Sequence, residues 1–418
     1  MLAAGLVSGM ITARVLGPEG RGILAIVMTW GGLFATLVQI SISDAVVLLA
    51  GASNRDQVEH AALSMARLLS VLLAPVCAGA MYIVMMGYGE GVPVLVGVAF
   101  AFFSALFGII GDMYRGILRS RQKFFYLQAF TVSQPLIYCG FCIASFMFSP
   151  SVEYFVAAQI VSIGIVFAMR AATMKVGLSG APNWHIGKQL LTIAATLHLS
   201  TAVRLFTAQA DRIAVALLWQ PEIVGHYAVA VTLSSLFTGV FSTAIRSVAL
   251  PAFANRTSDN LSRVVLRIMR LTWVASFAGT AVTIILAPAV APILFGEQFA
   301  TAGTMASLLA TAYAFNPVKD VLFETCKILR QSRIIVFSHV WFIIVFLLVS
   351  ASTVDFIGIY SVILAILVAN VASLLFVSMM VKRKLPDVTV GSWLRPRYAT
   401  LAECLVLVSG AISRQETK

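Results

Sequence analysis

Ala13-Arg14-Val15-Leu16-Gly17-Pro18-Glu19-Gly20-Arg21-Gly22 lies between two long apolar runs, and its reading decides the fold. Three glycines and a proline in six residues cannot continue a regular helix, so the stretch predicts a tight turn joining two apolar helices. The turn has an echo. Pro18-Glu19-x-x-Gly22 returns 203 residues downstream as Pro221-Glu222-x-x-Gly225. At the same offset Ala25 meets Ala228, Thr29 meets Thr232, Leu33 meets Leu236 and Phe34 meets Phe237. One helical hairpin is therefore expected twice, each time opening one of two similar halves of the chain.

The 418 residues are 60% hydrophobic and only 11% charged, and the mean hydropathy is strongly positive. A soluble domain carries about 25% charged residues, so composition alone predicts an all-α, polytopic membrane protein. The net charge of +12 does not point to nucleic acid, because the cations sit between apolar runs and not on one face of a soluble module. Cys77, Cys139, Cys142, Cys326 and Cys404 lie in or beside apolar runs and read as small hydrophobes. The first residues lack the basic flank and cleavage pattern of a signal peptide.

Apolar runs long enough to span fall near 2–16, 22–50, 65–87, 93–114, 124–148, 153–174, 190–217, 226–250, 271–295, 302–326, 334–352 and 357–381. The first is short. Its 15 residues make about 22 Å of helix against a core of about 30 Å, so it is expected to be shallow or to start upstream. These runs predict twelve transmembrane helices, as two six-helix lobes at 1–174 and 190–381, with a cytoplasmic linker at 175–189 and a basic tail at 382–418. An even number of spans per copy makes the copies parallel repeats, related by a pseudo-two-fold axis along the membrane normal.

The connections alternate in charge. Arg55 and Arg67, then Arg115, Arg119, Arg121 and Lys123, then Arg170, Lys175 and Lys188 mark one side. Arg256, Arg263, Arg267 and Arg270, then Lys327, Arg330 and Arg333, and finally Lys382-Arg383-Lys384 continue the series. The other side holds a single cation, Arg21, while each of its six turns has one acid: Glu19, Glu90, Glu153, Glu222, Glu297 and Asp355. Basic loops remain in the cytoplasm, so both termini are expected there.

Charges at membrane depth are costly and face a cavity or a partner. Arg14, Arg204, Arg212, Arg246 and Lys319 are the cations at that depth, and Asp44, Asp112, Asp211, Asp320 and Glu324 are the acids. Arg204 and Asp211 share a helical face but lie about 10 Å apart along the axis, too far to pair directly. Asp320 and Glu324 stand at i, i+4 beside Pro317, which invites a kink, and a broken helix carrying ionisable groups suits a coupling-ion or substrate site. Plainer readings stand beside these. Arg14 and Arg212 can snorkel, Asp211 can neutralise an arginine between helices, and Arg246, Asp112 and Arg115 suit structural pairing near the cytoplasmic edge. His198 is the one histidine placed to face a cavity. No zinc pair, P-loop or nucleophile elbow is present.

The stretch from Ala13 to Gly22 resembles the first-turn signature of the polysaccharide transporter (O-antigen flippase) family. That family belongs to the multidrug/oligosaccharidyl-lipid/polysaccharide flippase superfamily. Asp211-Arg212-Ile213 followed by Gly225-x-Tyr227-x-Val229-Ala230 resembles its seventh- and eighth-helix pattern. The resemblance implies two six-helix bundles around a central cavity in the inner membrane, with no enzymatic activity. The cargo it implies is an undecaprenyl-diphosphate-linked glycan moved from inner to outer leaflet by alternating access.

On that reading Arg14, Arg204, Arg212, Arg246 and Lys319 receive the diphosphate. Asp211, Asp320 and Glu324 would serve coupling to H+ or Na+, and no cofactor is expected. Partners are the lipid-linked glycan, membrane lipids and other polysaccharide assembly proteins. A drug/cation antiporter or a peptidoglycan-precursor flippase shares the superfamily. A membrane glycan polymerase would need larger outer loops than the 5–10 residues expected here.

Overall fold

A computed structural model describes residues 2–50, 55–89, 91–147, 150–174, 183–253 and 258–394. The described residues are helices and short connections, with no strand among them. The chain divides into two compact units, Met1–Ala228 and Val229–Lys418.

The first unit contains α1 (Leu2–Leu37), α2 (Ile42–Ala50), α3 (Arg55–Met86), α4 (Val94–Ser120), α5 (Phe124–Ala144), α6 (Val152–Met174) and α7 (Trp184–Leu218). Helix α8 (Pro221–Phe253) starts in this unit and ends in the next. The second unit adds α9 (Ser258–Phe295), α10 (Ala300–Tyr313), α11 (Asn316–Ile328), α12 (Ser332–Ile357), α13 (Tyr360–Lys382) and the short α14 (Val390–Leu394).

Ten stretches of the described residues are long and apolar enough to cross a membrane. Ala3–Ala50 is one of them, yet 48 residues make about 72 Å of helix, more than twice a hydrocarbon core. It breaks at Gly17, whose φ of 68° and ψ of −178° belong to a region that glycine alone occupies readily. Helices α10 and α11 have 14 and 13 residues, each too short to span alone but sufficient together. Counting the break as two spans and α10–α11 as one gives twelve, six before α7 and six from it onward.

Two expectations need correction. The stretch around Pro18 is not a loop. Only Gly17 leaves helical geometry, and Pro18 opens the next helix at a position where its missing N–H has no partner to lose. The apolar run 22–50 is not one helix either. It ends at Leu37 and restarts at Ile42, with Ile40 and Ser41 both at φ 48°. A β-branched residue in that left-handed region is strained, and nothing in the apolar pattern signals it. The kink expected at Pro317 is present as a full break two residues earlier. Proline 317 has no N–H for the Tyr313 carbonyl, so α10 stops there, and the freed carbonyls of Ala312 and Ala314 accept from Asn370 Nδ2 (2.8 Å) and Ser276 Oγ (2.7 Å).

The repeated turn organises the first unit. A Cβ placed on Gly22 would fall onto the Pro221 carbonyl, and one placed on Gly225 would fall onto the Pro18 carbonyl. The contact is reciprocal: exchanging the two copies of Pro-Glu-x-x-Gly reproduces it. Small residues of this kind let helices approach backbone to backbone where the surrounding lipid supplies no hydrophobic drive. Beneath it Trp30 Nε1 donates to Tyr88 Oη (3.0 Å), which donates to the Ala216 carbonyl (2.8 Å), tying α1 and α7 to the end of α3.

At the basic end of this unit, Ile42, Val46, Val58, Leu63, Ile109, Met113, Ile117 and Leu118 pack α2, α3 and α4 together. Arg119 pairs with Asp44 there, and Arg121 grips the fully buried Glu59 through Nε (3.1 Å) and Nη2 (2.5 Å). That forked bond holds the Arg121 guanidinium charged above its ordinary range.

In the second unit Phe253, Val265, Met269, Val318, Leu322, Leu374, Val377 and Val381 form the core. The chain after α13 is drawn onto it by buried Leu385 and Val388, and Arg270 donates twice to the Ser392 carbonyl (3.0 and 2.8 Å). Large apolar side chains such as Ile83, Leu95, Ile285 and Phe356 stand exposed, as helices facing hydrocarbon require.

Gly17→Ala is expected to lower stability by about 1–3 kcal/mol, since the conformation it must hold excludes Cβ. Gly22→Val should lose the folded protein outright. Gly5→Ala, with open space around it, should be neutral or mildly stabilising. Thermal unfolding of the detergent-purified variants checks all three; equal stability of Gly22→Val and the parent would contradict the close crossing.

Candidate functional site

Helix α7 is the least buried of the candidate spans, although it has the length of a full crossing. Along it Lys188, Thr192, Thr196, Ser200, Arg204, Ala208 and Arg212 succeed one another at steps of four, and all seven are exposed. Each step advances about 40° around the axis, so the row is a winding ridge about 36 Å long. Six of its seven members are polar. The hydroxyls of Thr192, Thr196 and Ser200 donate to the carbonyls of Lys188 (2.9 Å), Ile193 (2.7 Å) and Leu197 (2.8 Å). Their donors are thus engaged within the helix while their oxygens remain able to accept.

Arg204, the fifth member of this ridge, makes no hydrogen bond or ion pair among the described residues. Arg212 donates to Gln209 Oε1 at 3.4 Å. Arg14 is likewise exposed, on the turn that precedes the Gly17 break. Asp211 behaves differently from its neighbour. It is buried and accepts from Tyr227 Oη at 2.9 Å, although seven residues place it near the azimuth of Arg204. Its burial comes from local packing against the start of α8, which spacing alone does not report. His198 is half-buried on α7 beside the Leu37 backbone, where α1 ends. Ser41 and Thr201 meet just beyond it at 3.2 Å.

In the second unit Lys319, Asp320 and Glu324 lie on α11, immediately after the helix break, and all are buried. The Lys319 ammonium donates to Asn370 Oδ1 and lies 5.2 Å from the centre of the Phe342 ring. Asn370 also holds the Ala312 carbonyl, so one side chain of α13 joins the end of α10 to the start of α11. Glu324 accepts from Lys327 Nζ at 2.6 Å. Asp320 adds its charge beside Lys319. The result is a satisfied network at 6% exposure for Lys319, in contrast to the open Arg204. Arg246 lies in α8, and its side chain falls outside the described residues.

Several participants are invisible to sequence reasoning. Asn370 and Phe342 are ordinary members of apolar helices until Lys319 is placed between them, and Tyr227 stands out in sequence only as part of a motif. Gln39, Asp112, Arg115 and Arg170 are also brought together, near the break between α1 and α2. No group of histidines, cysteines or carboxylates among the described residues could hold a metal ion.

The model of a family described as polysaccharide biosynthesis protein matches residues 11–304, well over half of the chain. No curated protein matches. Among solved structures, an inward-facing multidrug resistance MATE family transporter of the MOP superfamily is similar at 16% identity, over 91% of this chain and 94% of that one, with a TM-score of 0.73. The lipid II flippase MurJ in an inward closed conformation is similar at 13% identity, over 100% and 98%, also at 0.73. A MOP superfamily transporter from Pyrococcus furiosus reaches 0.60 at 16% identity, over 91% and 92%. The fold is that of this superfamily, and the chain belongs to the polysaccharide biosynthesis protein family.

Proposed function

We propose that this protein is a flippase that moves an undecaprenyl-diphosphate-linked oligosaccharide from the inner to the outer leaflet, without enzymatic chemistry, for surface polysaccharide assembly. The family match and the fold support a transporter of lipid-borne glycans. The observation that carries the reading is Arg204, an exposed guanidinium well inside the long apolar helix α7, with no bond or ion pair among the described residues.

An arginine at that depth costs about 3 kcal/mol on insertion scales, which an anionic headgroup and water would offset. A guanidinium presents paired donors that match phosphate oxygens, and the hydroxyls of Thr192, Thr196 and Ser200 offer acceptors to sugar hydroxyls. The prenyl tail stays in lipid while the headgroup travels. Arg14 and Arg212 would extend the positive surface, and Arg246 is a further candidate cation of the second unit.

We assign the moving lobes to 1–174 and 190–381, rocking in alternating access around the headgroup, with the termini in the cytoplasm of an inner-membrane protein. Lys319, held in its buried network, is a candidate cation of the second unit. Asp211, Asp320 and Glu324 are the candidates for coupling to H+ or Na+. No cofactor is required. Lipids and other assembly proteins are the natural partners.

Arg204→Ala should reduce glycan export at least tenfold while the protein inserts and accumulates normally, and Arg204→Lys should restore it only in part. Export at parental level by Arg204→Ala would overturn the role. A cysteine placed at Glu297 should react with an impermeant reagent from outside, and cysteines at Arg119 or Arg263 should not. Reaction of Arg119 and Glu297 positions from the same side would overturn the topology.

A further inference from the structure

Three elements of the first unit meet where α1 ends. Asp112 and Arg115 come from α4, Arg170 from α6, and Gln39 from the strained turn between α1 and α2. Arg115 Nη2 donates to Asp112 Oδ1 at 2.6 Å and lies 3.4 Å from Gln39 Oε1. Arg170 Nη1 has one long bond, 3.4 Å to the Gly111 carbonyl. The Nε atoms of both arginines are buried and have no hydrogen-bond partner among the described residues.

Charge does not balance here. At this end of the unit Asp44 is matched by Arg119 and Glu59 by Arg121. Asp112 is matched by Arg115, and Arg170 lies within electrostatic reach of both of them. Two guanidiniums thus share one carboxylate, and like charges held together in this way call for an anion.

The floor is cleared for both side chains. A Cβ on Gly111 would stand 3.0 Å from Arg170 Nη1, and one on Gly108, a turn earlier, 3.1 Å from Gln39 Nε2. Ile40 and Ser41 hold φ of 48°, a conformation that persists only where surroundings enforce it, and it sets Gln39 against α4. The Gln39 amide N–H groups form no hydrogen bond among the described residues, which leaves two more donors at the site.

The depth is that of a headgroup. Arg115 lies five residues from the end of α4, which is about 8 Å along the helix. The Arg115 side chain is 42% exposed, so a ligand can reach it.

We infer that Gln39, Arg115 and Arg170 form a phosphate-binding site at the basic end of the first unit, which takes the phosphate or diphosphate of a lipid headgroup. The site is separate from Arg204 and does not depend on the transport reading. Both the carried diphosphate lipid and ordinary anionic phospholipid present this chemistry.

The test is binding to the full-length protein purified in detergent, with no transport step. Inorganic pyrophosphate should bind the parent, and Arg170→Gln or Arg115→Gln should weaken it about tenfold. Lys123→Gln, an exposed cation in the neighbouring turn, should leave it unchanged. Gln39→Glu supplies a tethered carboxylate, so it should abolish pyrophosphate binding while keeping or raising thermal stability, which separates loss of the site from loss of folding.

Nanodiscs of phosphatidylglycerol and of phosphatidylcholine then separate the sources. If phosphatidylglycerol displaces pyrophosphate, the site takes membrane phospholipid; if it does not, the site is reserved for a diphosphate. Either result supports the site. Parental binding by both arginine variants overturns it, as does equal weakening by Lys123→Gln.

Discussion

The crossing of Gly22 over Pro221 and of Gly225 over Pro18 is the contact on which the first unit depends. Two helix starts lie on one another with no side chain between them. Lipid offers helices no hydrophobic reason to associate, so closeness and the absence of bulk must do it. The contact also explains why glycines recur at one spacing in two distant parts of the chain. Each copy needs the other's missing Cβ. Because α7 ends only three residues before Pro221, fixing α8 here fixes that end of α7, and with it the position of Arg212 and Arg204.

The molecule holds its charges in two ways. One set is paired around a buried group: Glu59 with Arg121, and Lys319 with Asn370 under a Phe342 ring. Glu59–Arg121 joins α3 to the end of α4, and Asn370 closes the break that Pro317 imposes between α10 and α11. Removing one member of such a set leaves a buried group without its partner, so they read as architecture. The other set is open. Arg204 on the α7 ridge and the Arg115–Arg170 couple retain donors that the described residues do not use. We read these open cations as places where an anion would bind.

Much of the fold is legible in the sequence. Twelve spans, the duplicated hairpin and the break near Pro317 all come from hydropathy, glycine and proline. The form of the first turn does not, because composition cannot distinguish a loop from a single glycine with extended ψ at a helix junction. The interruption at Ile40–Ser41 leaves no trace in an apolar pattern, since tertiary contacts enforce it. For the site, depth in the sequence selects the right charges but not their surroundings. Lys319 and Arg204 look alike as intramembrane cations, yet packing against α12 and α13 buries one while the other stays open. In sequence Arg170 is one more basic residue near a helix end, and only its approach to Gly111 and Arg115 distinguishes it.

The central claim is that a lipid-borne diphosphate glycan crosses the membrane through this protein. Its most direct test is reconstitution into liposomes carrying a lipid-diphosphate oligosaccharide in both leaflets, with an impermeant glycan-cleaving enzyme added outside. The account predicts that vesicles containing the protein release the glycan of both leaflets, and that protein-free vesicles release only that of the outer one. Release limited to the outer leaflet, by a protein shown to be folded in the same vesicles, would contradict it.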